Sequence, residues 1–331
     1  MENQALRNQD RGKTPLPKLV EWERMFFDQL KSHGRSPNTI KNYRTDMKCF
    51  NRYLLERQDS LELEDFTTEK VKEYGEFIAQ KYPSDNSRRR RIQALRLFFD
   101  FLISLKLYRE NPVRKIPSIP KFLDIPRPAT LPDIQTLWNH LLLWGQKENF
   151  MEQISGIRNQ IVFLLVYSAG LKVSDLAKLK EDHIDSTPKA PKVLVVPPKR
   201  DPYSVPVHPI FVPIYRRYTE LLKRGKEIYG LCFEDLFFNA NPFKILQGGL
   251  SPRGFELIFK DFQNRFHIKI TPKSLRQAAV FKWLQKNYSD GLIKEWLGVA
   301  PSYSLKLYRA HLPQYPYNED FLDCSEGRIV H

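Results

Sequence analysis

The stretch Thr271-Pro272-Lys273-Ser274-Leu275-Arg276-Gln277 sets a helix start and places two cations at it. Proline in a first helical turn loses only an amide hydrogen that has no intrahelical partner there. Lys273 and Arg276 are three apart and share a face. The start of a helix also offers free amide hydrogens and the positive end of the helix dipole, so two cations at that point make an anion site. The plainer alternative is a pair of solvated surface residues.

Downstream lie Leu297-Gly298-Val299 and then Ser304-Leu305-Lys306-Leu307-Tyr308-Arg309. A tyrosine hydroxyl titrates near pH 10, and cations beside Tyr308 would lower that value and stabilise charge on a phosphate it attacked. The chain has 15 tyrosines, so composition alone singles out none. Upstream, the apolar run from Ile161 to Tyr167 leads into Ser168-Ala169-Gly170-Leu171-Lys172-Val173-Ser174-Asp175-Leu176. Gly170 is expected to end one helix and Ser174 to cap the next, which leaves Lys172 free to project from the break. Between these blocks, Val193 to Val196 and Ser204 to Val207 flank a proline-rich turn. Two β-branched runs about a turn predict a hairpin with Lys199, next to Arg200, at its tip.

The first third is helical in its spacing. Trp22, Met25, Phe26 and Leu30 share one face. Ser36-Pro37-Asn38 starts a second helix with Ile40, Tyr43, Met47, Phe50 and Leu54 on one stripe and Lys41 and Arg44 mostly off it. A third helix opens at Phe66-Thr67-Thr68-Glu69, and Ser87 is expected to cap a fourth through Ile92, Leu95, Phe98, Phe99 and Leu102. Arg88-Arg89-Arg90-Arg91 begins that helix, with three of the four side chains expected to point outward. A charge run is often only a solvated face, but four adjacent arginines repel one another unless an anion is near, so DNA backbone contact is the sharper expectation.

The expected organisation is a disordered tail over 1–17, an all-helical unit over 18–110, a proline-rich linker over 111–130, a mainly helical second unit with one small antiparallel sheet over 131–312, and a tail over 313–331. Prolines fix φ and lack the amide hydrogen, which argues against a helix in the linker. The net charge is +15 and the pI near 9.6, with the excess shared by both halves. Such a surface gains affinity for polyanions by counterion release, though RNA, a membrane surface or simple solubility fit charge alone. Three scattered cysteines support neither a disulfide framework nor a zinc site, and no cofactor is implied. No apolar run approaches a membrane span, and a reducing cytoplasm is the expected compartment.

In order and spacing these blocks resemble the tyrosine recombinases, the phage integrase and Xer-like family. That family shows Gly-Leu-Arg-x-Ser-Glu-Leu, matched by Gly170 to Leu176; a hairpin lysine, matched by Lys199; and Thr-Pro-His-x-Leu-Arg-His, matched by Thr271 to Gln277. It then shows Leu-Gly-His and a tyrosine ten residues after the glycine, matched by Leu297-Gly298-Val299 and Tyr308; Tyr303 is only five along. The first third is similar to the family's core-binding domain at Ser36 to Tyr43, Leu95 to Leu102 and Asn111-Pro112. The resemblance spans residues 19 to 312. It implies a mainly α fold: an N-terminal four-helix, SAM-like core-binding bundle and a mostly helical catalytic domain with a small antiparallel sheet, together encircling duplex DNA.

The resemblance also implies a mechanism without metal or cofactor. Tyr308 would attack a scissile phosphate, form a 3′-phosphotyrosyl link and free a 5′-hydroxyl, with Lys199 as general acid. It implies a nucleoid-associated tetramer on two DNA sites, alone or with a related recombinase, exchanging a C-terminal segment; residues 312 to 331 either serve as that segment or dock on their own domain. Four site positions depart from the pattern. Lys172 replaces an arginine and loses the planar fork that grips two phosphate oxygens, a loss worth roughly 3 kcal/mol. Lys273, Gln277 and Val299 stand at histidine positions, and Asp175 is a shortened acid. The chain thus reads as a recombinase or integrase acting through Tyr308 or, alternatively, as a weakened relative binding DNA in an architectural or regulatory role. A plain helix-turn-helix factor built on Gly170 to Leu179 leaves Lys199, Lys273 and Arg276 without a purpose.

Overall fold

The computed structural model describes residues 19–57, 67–116, 125–198 and 200–325. The chain divides into two compact units, Met1–Phe122 and Leu123–His331. The expected tail over 1–17, the linker residues 117–124, Lys199 and residues 326–331 lie outside the described residues.

The first unit carries α1 (Leu19–Ser32), α2 (Pro37–Glu56), α3 (Thr68–Lys81) and α4 (Asp85–Ser104). Ser36 caps α2 by accepting from the Thr39 amide at 3.1 Å, and Thr67 caps α3 by accepting from Lys70 at 3.3 Å. The helical stripes meet in one core. Phe26 packs edge-on to Phe98 at 5.5 Å, and Phe50 meets Tyr74 at 4.8 Å. Each such ring buried contributes roughly 1.5–3 kcal/mol. Met25, expected on the buried face, is exposed, because its neighbours Trp22, Phe26 and Leu30 already fill the contact. The fourth helix begins at Asp85, so Ser87 lies inside it instead of capping it. An acidic first turn suits the helix dipole there, and Arg88 pairs with Asp85.

The proline-rich stretch does not begin as a free linker. Asn111 accepts from the Val113 amide and donates to the Arg96 carbonyl, which folds Pro112–Lys115 into a 3₁₀ turn against α4. Val113 and Ile116 are buried in the bundle. At the far end, Ala129 is buried and its amide donates to the Ser274 carbonyl at 3.0 Å, so the last of these residues belong to the second unit.

The second unit is built on α6 (Phe150–Tyr167), whose residues from Gly156 to Tyr167 are all buried. Packed around it are α5 (Leu131–Trp144), α8 (Phe211–Tyr229) and α10 (Pro272–Gln285). Short α7 (Val173–Leu176) follows α6, and α9 (Pro252–Phe266), α11 (Asp290–Trp296), α12 (Lys306–Ala310) and α13 (Asp320–Asp323) complete the helices. The expected hairpin forms from β2 (Lys192–Val195) and β3 (Tyr203–Pro206), antiparallel with Val193 opposite Val205. The small antiparallel sheet expected has a third strand, and a second sheet goes beyond it. A two-residue strand, β1 (Ile184–Asp185), adds to β2, and β4 (Phe238–Ala240) pairs with β5 (Ile245–Gly248) in a separate sheet. Among the described residues no helix is long and apolar enough to cross a membrane.

Residues 315–325 dock on the unit that carries them. The Tyr317 hydroxyl donates to the Ala129 carbonyl at 2.5 Å, and Trp138 Nε1 donates to Ser325 Oγ at 3.1 Å. Buried Lys282 bonds Glu319 Oε1 at 2.6 Å, while Lys286 holds Oε2 at 2.7 Å. Both carboxylate oxygens are thus satisfied, as a buried charge requires.

Candidate active site

The site grows from the start of α10. Thr271 accepts from the Ser274 amide at 3.0 Å while Ser274 Oγ receives the Thr271 amide at 2.8 Å, a reciprocal cap that fixes the first turn. This sets the direction of Arg276, whose side chain is only partly exposed. Its guanidinium is held by carbonyl oxygens: Nε donates to Gly170 and Nη2 to Leu297, each at 2.6 Å. Nη1 has no partner among the described residues. Carbonyls orient the guanidinium without neutralising it, so its charge remains available to an anion.

Both carbonyls sit at left-handed turns. Gly170 has φ +63°, and an added Cβ would lie 2.5 Å from the Trp283 ring. Gly298 has φ +57°, and a Cβ there would lie 2.2 Å from the Tyr203 hydroxyl. Either position is costly for any other residue, on backbone grounds and for want of space.

Lys172 is half-buried in front of α7, and its backbone amide donates to Asp175 Oδ2 at 3.3 Å. The cap of α7 is therefore Lys172 with Asp175 reaching back, and Ser174 lies inside the turn instead of capping it. Burial pushes the Lys172 ammonium below its ordinary pKa, and nearby Arg276 pushes the same way against Asp175. Arg276 is lowered by burial too, with Asp175, Tyr203, Tyr308 and Tyr303 opposing. Two cations thus crowd about one carboxylate, an arrangement that a phosphate would relieve.

Tyr308 is buried on α12, its ring 5.3 Å from Phe281. Burial pushes its hydroxyl well above the usual tyrosine range, and the Tyr303 hydroxyl, bonded to it, adds to this; Gln277 and Arg276 pull the other way. Gln277 accepts from the Arg127 amide at 3.1 Å, which turns its own amide group toward the phenol. At neutral pH Tyr308 is a protonated phenol. Lys273 is exposed on the first turn of α10, without a contact to the other candidates among the described residues. Val299 lines an open cleft of about 620 Å³ with Arg200, Tyr203 and Lys294. Among the described residues no cluster of His, Cys, Asp or Glu is placed to hold a metal.

The structure therefore gathers Lys172, Asp175, Arg276, Gln277 and Tyr308. It adds Tyr203 and Tyr303, the first of which sequence reasoning passed over and the second of which it weighed only as a nucleophile. Tyr203 alternates with buried Val205 on β3, and that period of two was the available signal.

In the first unit, Lys41 and Arg44 join Lys31, Arg35 and Lys48 around an open groove of about 590 Å³. The lining holds five cations and no carboxylate. The arginine run is more committed than its sequence suggests. Arg90 bonds buried Asp46 through two 2.9 Å contacts, Arg88 pairs with Asp85, and Arg91 lies 3.6 Å over the Tyr82 ring. Arg89 bonds Asn86, and only Arg90 of the four is largely exposed.

The family description "Phage integrase, N-terminal SAM-like domain" matches residues 24–106. A tyrosine recombinase XerC of Myxococcus xanthus is 26% identical over 288 residues, which cover 86% of this chain and 90% of that protein. Over most of its length the chain is similar to members of the tyrosine recombinase family. Its fold agrees with solved members: XerH bound to a palindromic difH substrate in a post-cleavage complex gives a TM-score of 0.68 at 12% identity, covering all of this chain and 89% of that one. A lambda integrase tetramer bound to a Holliday junction gives 0.63 at 18%, covering 92% and 80%.

Proposed function

We infer that this chain is a site-specific DNA recombinase in which Tyr308 forms a 3′-phosphotyrosyl bond while the bond to the 5′-oxygen breaks. The observation that carries the assignment is the convergence on Arg276: residues from α7, β3, α10 and α12 meet around one guanidinium whose charge is left free. A scissile phosphate bound there would touch Arg276 and Lys172, with Tyr308 at the same site. Lys199 is assigned to protonate the leaving 5′-oxygen. Since none of the pocket's residues titrates as a histidine, the phenolic proton passes to water or to a phosphate oxygen as the bond forms. Positioning and charge supply most of phosphoryl-transfer catalysis, so the reaction survives these losses at reduced rate. The first-unit groove lined by Lys41 and Arg44 would hold the DNA backbone, and the active form would be an oligomer on two duplexes in the cytoplasm.

A nicked suicide duplex carrying the highest-affinity sequence that the protein recovers from a random library tests this. The wild type should form a covalent adduct resistant to denaturant, and Tyr308→Phe should form none while still binding. An adduct that persists in Tyr308→Phe would overturn the assignment. The buried hydroxyl of Tyr308, its raised pKa and the alkyl group of Val299 favour a second reading, a binding-only relative. That reading predicts wild-type binding with no adduct.

A further inference from the structure

The family pattern places a ring nitrogen donor at the position of Val299, and valine offers none. The structure brings a different donor to the same place. Tyr203 opens β3 opposite Val195, and its alternation with buried Val205 turns its ring inward. Its hydroxyl rests on Gly298, the residue before Val299: an added Cβ on that glycine would meet the oxygen at 2.2 Å and Cζ at 2.9 Å. The preceding carbonyl, that of Leu297, is the one that holds Arg276 Nη2. The Tyr203 hydroxyl therefore touches the residue next in the chain to the carbonyl that holds the guanidinium. It makes no hydrogen bond among the described residues, and its ring also lines the cleft shared by Val299, Arg200 and Lys294. Burial raises its pKa, with Asp175 adding to the rise and Arg276 and Arg200 opposing it, so the hydroxyl keeps its proton and is a donor at neutral pH.

Resting on the recombinase assignment above, we propose that Tyr203 donates a hydrogen bond from the hairpin to a non-bridging oxygen of the scissile phosphate, in place of the donor that Val299 lacks. The proton stays on Tyr203 throughout, and no bond of its own is made or broken. The donor strengthens as charge builds on the phosphate oxygens, which is where a preorganised hydrogen bond lowers a barrier. It also explains why residue 298 must be glycine for space as well as for backbone conformation.

The test compares single-turnover cleavage of the suicide duplex by wild type and Tyr203→Phe, each on an ordinary scissile phosphate and on the two methylphosphonate stereoisomers. Methyl replaces one non-bridging oxygen and removes an acceptor. On the phosphate, Tyr203→Phe should be slower by about tenfold to a hundredfold, with unchanged DNA affinity. On the stereoisomer that lacks the oxygen Tyr203 serves, wild type and variant should cleave at equal rates. Adding Val299→His to Tyr203→Phe should recover much of the loss. A variant as fast as wild type on phosphate overturns the proposal, and so does an equal loss on all three substrates, which would mark a packing role. A wild type that binds but forms no adduct overturns the recombinase assignment and this one with it.

Discussion

Two arginine sites, one in each unit, are held in opposite ways. In the first, Arg90 and Arg88 are tied to carboxylates, one of them the buried Asp46. In the second, Arg276 is tied to two carbonyls, with Asp175 the acid that acts on it among the described residues. A carboxylate orients a guanidinium and cancels its charge, whereas a carbonyl orients it and leaves the charge in place. Density of basic residues in a sequence therefore does not measure the charge a ligand meets. The run from Arg88 to Arg91 is the richest in the chain, yet the groove lined by Lys31, Arg35, Lys41, Arg44 and Lys48 is the freer surface, since among the described residues only Lys31 of these five forms an ion pair, with Asp28.

Arg276→Lys tests this difference most severely. Lysine keeps one charge but cannot serve both carbonyls and a phosphate oxygen at once. Cleavage of the suicide duplex should fall at least about a hundredfold, and urea unfolding should show about 1–3 kcal/mol lost as a buried carbonyl goes unpaired. Near-normal cleavage by this variant would mean that the carbonyl clamp is incidental.

Gly298→Ala should cost about 1–2 kcal/mol for the left-handed backbone alone, with more from the contact with Tyr203. Tyr203→Ala in the same chain should recover the steric part and leave the backbone part. If both variants unfold at the same urea concentration, the close approach to Tyr203 carries no energy.

Glu319 is the neutralised case within the second unit. Although burial acts to raise its pKa, Lys282 and Lys286 together bring the carboxyl down to about 2. A depressed carboxylate contributes stability that is present above its ordinary value of 4.5 and is lost as pH falls toward 2. Between those limits the segment 315–325 should loosen, followed by the fluorescence of Trp138. Glu319→Gln should flatten the acid limb, and an unchanged limb would place the acid sensitivity elsewhere.

The smallest effect concerns Asp46→Asn. Losing the paired carboxylate should destabilise the first unit by about 1–3 kcal/mol. It also releases Arg90, so the slope of log affinity for DNA against log salt should steepen by about 0.9. Lys41→Ala and Arg44→Ala should each make that slope shallower by a similar step. An unchanged slope in Asp46→Asn would show that Arg90 already reaches DNA through its ion pair.

Much of this was legible in the sequence wherever one residue sets local geometry. Ser36, Thr67 and Thr271 cap helices as their spacing implies, and the valines of β2 and β3 pair as their period implies. The misses fall where distant groups decide. Short β1, β4 and β5 carry too few residues to show a period. The first turn of α4 is settled by Asp85 with Arg88, and that of α7 by Asp175 reaching back, each a competition between several acceptable caps. The pocket was legible through the blocks of Arg276 and Tyr308; the period of two that Tyr203 shares with Val205 could turn its ring inward, but its partner Gly298 is remote in the chain and only the fold reveals that contact.

The clamp on Arg276 has one more consequence. Its two carbonyls come from turns 106 and 21 residues away along the chain, one at the exit of the central helix and the other after α11. Neither turn alone can hold the guanidinium. The clamp thus exists only when both turns have docked. A chain in which either turn is undocked leaves Arg276 without one of its two holds, so the proposed cleavage site is coupled to the completed fold.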